Sequence, residues 1–108
     1  MVDAPRVMLL DGDYDTSLSV AAELSEDLDA TIVGVGTRRY SRLLRSKYCD
    51  AGVTLVPPED QGYAEALLAA VEARMPDLVL PLGYHSTTQV DSVRDRMPGE
   101  VADRKSVV

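Results

Sequence analysis

Three carboxylates at alternate positions, Asp11, Asp13 and Asp15, directly follow the apolar run Val7-Met-Leu-Leu10. Carboxylates on a loop beyond a strand can hold Mg²⁺ through oxygen ligands, or one can act as a nucleophile. His85, the sole histidine, stands in a later polar loop and could touch a ligand or act as a base. With no second His or Cys nearby to share a metal, a plain polar loop residue is the simpler explanation. Cys49 has no His or Asp partner readable from spacing and reads as a small buried side chain. Arg38, Arg39, Arg42 and Arg45 form a local basic stretch. A solvated helix face paired with neighbouring acids explains it more simply than phosphate recognition.

None of these groups completes a known catalytic set. Haloacid-dehalogenase-type phosphatases place a nucleophilic Asp and an acid Asp two apart after the first strand, as Asp11 and Asp13 stand here. They also need a later lysine and a distal pair of acids, and Lys47 and Lys105 sit in no suitable place. Response-regulator receivers need a phosphoacceptor Asp after the third strand, where this chain has Pro57-Pro58-Glu59-Asp60. No G-x-G-x-x-G follows the first strand and no G-x-x-x-x-G-K-[ST] occurs, so no dinucleotide or Walker phosphate site is supported.

Composition narrows the classes further. The 108 residues suffice for one domain, 1–108, and 45% of them are hydrophobic, enough to build a core. Phe and Trp are absent and only five Tyr occur, so Val, Leu, Ala and Met must fill that core. A formal charge of −7 argues against nucleic acid or an anionic membrane as the principal partner. No apolar run nears the ~20 residues that cross a bilayer, and no secretory signal is visible. The single cysteine fits a reducing cytoplasm, which is the expected location. Scarce lysine and abundant Asp suit either a salty, halophile-like cytoplasm or an ordinary acidic domain from a GC-rich genome.

The elements that must position these groups alternate. Apolar runs at 6–10, 30–35, 52–56 and 78–82 read as buried strands. Between them, Thr16 or Ser17 can cap a helix carrying Leu18, Val20, Ala21, Leu24 and Leu28 at helical spacing. Residues 40–45 read as a short amphipathic turn or helix with Leu43 and Leu44 inward. Pro57-Pro58 stops the third strand. Residues 63–75 form the clearest helix, and 86–97 another with Val90 and Val93 inward, before Glu100 to Asp103 begins something unfinished. Continuous apolar strands alternating with helices imply an α/β fold of three layers, an open and mostly parallel sheet covered on both faces.

In such sheets ligands bind beyond the carboxyl ends of the strands. Those ends carry residues 12–17, 34–39, 57–61 and 83–88, the first and last being richest in small polar residues. A helix starting at Ser17 or Ser86 would aim free N–H groups at an anion. Ordinary helix caps are the competing explanation.

The order of segments resembles the N-terminal, pre-ATP-grasp domain of ATP-grasp ligases, especially the carbamoyl-phosphate-synthase-like group. The likeness covers nearly the whole chain. It rests on Val7-Met-Leu-Leu-Asp-Gly-Asp13 before a helix, and on Ser46-Lys-Tyr-Cys-Asp50 leading to Val53-Thr-Leu-Val-Pro-Pro-Glu59. A third part is Leu78-Val-Leu-Pro-Leu82 before a polar loop. The resemblance implies a Rossmann-like domain that is not catalytic alone, and hence a fragment of a larger enzyme. The enzyme would use ATP and Mg²⁺, held by ATP-binding domains of the same or a partner chain, to activate a carboxylate as an acylphosphate for attack by an amine or other nucleophile. Lys105 lies in the expected link and is not followed by the helix that carries on from the ATP-contacting lysine. The resemblance also implies that Gly12, Asp13, Ser17, Gly83, His85, Ser86 and Thr87 help to line a small-molecule substrate pocket. A homodimer is left open. The alternatives are a free-standing Rossmann-like binding or receiver-type regulatory domain, and a Mg²⁺-dependent phosphohydrolase using Asp11.

Overall fold

A computed structural model describes residues 4–38 and 41–98. The chain folds as β1 (Arg6–Leu9), α1 (Asp15–Leu28), β2 (Thr31–Gly36), β3 (Ala51–Thr54), α2 (Tyr63–Arg74), β4 (Leu78–Leu80) and α3 (Tyr84–Ser92), closed by a 3₁₀ turn at Arg94–Arg96. All three strand pairings are parallel, and the sheet order is β3-β2-β1-β4. The expected α/β fold with a parallel sheet is therefore present. Arg39, Tyr40, Lys105 and the segment 100–103 lie outside the described residues.

The continuous apolar run of β1 follows from its central position. Met8 pairs with Val33 on one side and Val79 on the other. Alternate residues then enter different cores, since side chains along a strand point to opposite faces. Val7 and Leu9 pack with Ile32 on β2 and with Ala21 of α1. Met8 and Leu10 pack with Leu67 and Val71 of α2 and Val90 of α3. Met8, Leu9 and Leu10 are wholly buried, each stabilising the fold by roughly 1.5–3 kcal/mol. One helix thus covers one face and two cover the other.

Residues 41–46 close as successive turns rather than a regular helix, with Arg45 N–H donating to the Ser41 carbonyl at 3.1 Å and Ser46 N–H to the Leu43 carbonyl at 3.0 Å. Leu43 is wholly buried under β2, and Leu44 packs beside it half-buried. The Tyr-Cys-Asp stretch then has a structural task. Asp50 exchanges two bonds with Ile32, its N–H donating to the carbonyl at 2.9 Å and its Oδ2 accepting the Ile32 N–H at 2.8 Å. That exchange feeds the chain into β3 at the sheet edge. Cys49 is half-buried with Sγ 3.1 Å from the Ala51 carbonyl, and burial pushes its thiol pKa up.

Two helix starts differ from the sequence expectation. Helix α1 begins at Asp15, after an N-cap at Tyr14, so neither Thr16 nor Ser17 caps it. The reason is a tight turn: Asp11 takes a left-handed φ of 61°, and Tyr14 N–H donates to the Asp11 carbonyl at 3.0 Å. Ser17 is fully buried inside the first helical turn, its hydroxyl donating back to the Tyr14 carbonyl at 2.7 Å. Helix α3 begins at Tyr84 after Gly83, which places Ser86 in its first turn.

Candidate functional site

The strand order changes direction at β1: β2 and β3 lie to one side, β4 to the other. In open α/β sheets this switch point is where ligands usually enter. Here the chain fills it. Asp11 lies just beyond β1, and its Oδ2 accepts the N–H groups of Leu82 at 2.9 Å and Gly83 at 2.8 Å. Ser86 donates its hydroxyl to the same oxygen at 2.5 Å. These are charge-assisted bonds at the N-terminal end of α3, where a negative charge is favoured. An internal carboxylate thus occupies the place that an external anion would take.

The neighbouring strand ends remain open. A cleft of about 250 Å³ lies between the ends of β1, β2 and β3 and the first residue of α2. Its apolar wall is Val35, Leu55, Val56, Pro57 and Pro58. The remaining side is polar, with Asp11, Asp13, Tyr14, Thr37, Glu59 and Tyr63. Asp13 is fixed by Thr37, whose N–H donates to Oδ2 at 3.2 Å and whose hydroxyl donates to the same atom. This ties the β1–α1 loop to the end of β2. Gly36 lets the two approach, since a Cβ there would lie 2.5 Å from Ser41 Oγ and 3.1 Å from Asp13 Oδ1.

Tyr63 stands where α2 meets the cleft. Its side chain is 2% exposed and packs in the core with Leu67 and Val35, yet it lines the cleft. Among the described residues its hydroxyl has no hydrogen-bond partner. Burial first, and the charge of Asp11 second, push its pKa well above the ordinary phenol value. The group therefore meets a ligand as a neutral phenol, able both to donate and to accept.

Of the pocket residues that the resemblance implies, Asp13 alone lines this cleft, beside Asp11, which the sequence offers as a carboxylate with possible chemistry. Gly12 is buried beneath it, its N–H donating to the Val35 carbonyl at 2.7 Å and its carbonyl accepting from Leu43 N–H at 3.1 Å. Ser17 is inside α1. Gly83 and Ser86 hold Asp11. His85 and Thr87 are exposed on α3, His85 edge-on to Tyr84 at 5.5 Å and Thr87 bonded to the Gly83 carbonyl at 2.7 Å. Tyr63, Thr37 and Glu59 were not singled out from sequence. The signal for them was weak: Thr37 and Glu59 stand in loops read as strand ends but Tyr63 does not, and the meeting of Glu59 and Tyr63 with Asp13 in one cleft depends on β3 lying beside β2 and on α2 packing against the sheet.

Arg42 pairs with Asp15 at 3.0 Å across exposed surface, in line with a solvated, paired basic stretch. Among the described residues, no group of three or more His, Cys, Asp or Glu is placed to hold a metal ion. No helix there is long and apolar enough to cross a membrane. The strand order 3-2-1-4 also differs from the 2-1-3-4-5 order of receiver-like sheets. The chain matches no protein-family model and no curated protein. Fold and cleft together define a Rossmann-like α/β domain with an acidic pocket at the carboxyl ends of its strands.

Proposed function

We propose that this chain is the N-terminal, substrate-side domain of an ATP-grasp ligase of the carbamoyl-phosphate-synthase-like group, inactive on its own. The observation that carries this reading is the make-up of the strand-end cleft. It offers groups that hold and orient a small molecule, yet it has no nucleophile–base pair. The motif order that carries the resemblance supports the same reading.

ATP and Mg²⁺ do not fit the described residues. No phosphate loop follows β1, the cleft lining holds no lysine or arginine, and its carboxylates would repel a triphosphate. In this reading those groups belong to ATP-binding domains of the same or a partner chain, and the present cleft forms one wall of the acceptor pocket.

The test is activity with and without such a half. The chain alone should form no ADP from ATP. Together with an ATP-binding half, encoded by its own gene or a partner gene, it should form ADP only when a carboxylate and a nucleophile are both supplied. Val56→Trp, which fills the cleft, should then raise KM for the nucleophile more than it lowers kcat. If neither the gene nor a neighbouring gene encodes an ATP-binding domain, the reading fails. Mg²⁺-dependent phosphatase activity of the chain alone, lost in Asp11→Asn, would replace it with the phosphohydrolase.

A further inference from the structure

The charge of the cleft is one-sided. Asp11, Asp13 and Glu59 line it, and no Lys, Arg or His does. The α3 N-terminus, which would otherwise draw an anion, already holds Asp11. At the entry to α2, Asp60 accepts the Gly62 N–H at 2.8 Å and brings a further negative charge. Nothing on this lining recommends a phosphate or a carboxylate.

The polar groups also do not suit a divalent metal. Such an ion needs about six oxygens converging on it. Asp11 Oδ2 already takes three donors, and Asp13 is held sideways by Thr37. A carboxylate still has about four acceptor directions in all, so both retain room for a donor. Tyr63 is the independent sign of a ligand. It is 2% exposed, it lines the cleft, and its hydroxyl has no hydrogen-bond partner among the described residues. A cleft of about 250 Å³, open on one side, has room for a small molecule.

We infer that the strand-end cleft binds a small aliphatic ammonium, its charged head between Asp13, Asp11 and the Tyr63 hydroxyl and its carbon chain along Val56 and Pro57-Pro58. An ammonium offers three donors and no acceptor, matching two carboxylates and a phenol oxygen. The inference goes beyond the ligase reading, because it concerns the chain alone and would hold equally for a free-standing binding domain.

The test is amide chemical-shift titration of the 108-residue chain at low ionic strength with n-butylammonium, n-butyrate, inorganic phosphate and Mg²⁺. The ammonium should give saturable shifts at Gly36, Thr37 and Tyr63, and the other three probes should not. Asp13→Asn should weaken binding about tenfold, the loss of one charge-assisted contact. Tyr63→Phe should weaken it about threefold with the unfolding midpoint kept, so the inference stays testable if Asp13→Asn fails to fold. Absence of saturable ammonium shifts, equal shifts from butyrate or phosphate, or unchanged affinity in Tyr63→Phe would overturn it.

Discussion

Ser86 donates its hydroxyl to the carboxylate of Asp11 at 2.5 Å, a bond joining residues 75 apart in the sequence. It fastens the start of α3 to the end of the central strand. The same oxygen takes two backbone N–H groups, so its removal leaves half-buried donors without a partner. Asp11→Ala should destabilise the domain by about 2–4 kcal/mol, and Ser86→Ala by about 1–2 kcal/mol. The double variant should lose less than the sum, because the two share one network. Urea unfolding of the four proteins gives this coupling, and strict additivity would show that the bond contributes nothing of its own.

Gly12 tests the underside of the cleft. A Cβ there would lie 2.8 Å from the Val35 carbonyl oxygen and 3.1 Å from Leu43 Cβ, both held by packed structure. Gly12→Ala should therefore cost about 1–3 kcal/mol through overpacking. Gly62→Ala meets only Asp60 Oδ1 at 3.4 Å, an ordinary contact, and should lie within about 0.5 kcal/mol of the parent. Equal unfolding midpoints for the two variants would contradict the steric account.

Two helices end on left-handed residues other than glycine. Met75 closes α2 at φ 46°, and Asp29 closes α1 at φ 53°. Asp tolerates this conformation better than an unbranched apolar side chain does. Met75→Gly should thus stabilise the domain by about 0.5–1 kcal/mol, and Asp29→Gly by less. Thermal unfolding is sufficient to rank them. A loss of stability in Met75→Gly would mean that its half-exposed side chain packs more than it strains.

Tyr63 should make the fold sensitive to alkali. An unfolded tyrosine releases its proton near pH 10, whereas burial and Asp11 raise the folded value above that. Above about pH 10 the unfolded chain then binds fewer protons than the folded one, so stability falls as pH rises. Below that pH the contribution is fully present. Tyr63→Phe should flatten the decline of the urea midpoint between about pH 9 and pH 11. Parallel profiles for parent and variant would remove Tyr63 as the cause.

The fold was legible because its strands announce themselves. Val7-Met-Leu-Leu10 is apolar at every position, and a strand between two others with helices on both faces must be so. Helix starts were less legible. Ser17 and Ser86 have the chemistry of caps, but the backbone turn at Asp11 and the glycine at 83 start the helices earlier and leave both serines inside. The cleft was legible only in outline. Asp13 could be picked as a carboxylate beyond β1, whereas Tyr63 looked like an ordinary first residue of an alanine-rich helix. Its role needs the packing of α2 against β1 and β2, which no local pattern encodes.

The central position of β1 bears on how the domain is made. Asp11 leaves the ribosome 71 residues before Leu82, and the strand before it has its second neighbour only once β4 follows. Until then one side of that strand is an open ladder, the sort of edge that other chains can capture. Docking of β4 and the closing of α3 onto Asp11 therefore complete the fold together, as a latch that engages only when nearly the whole domain has been synthesised.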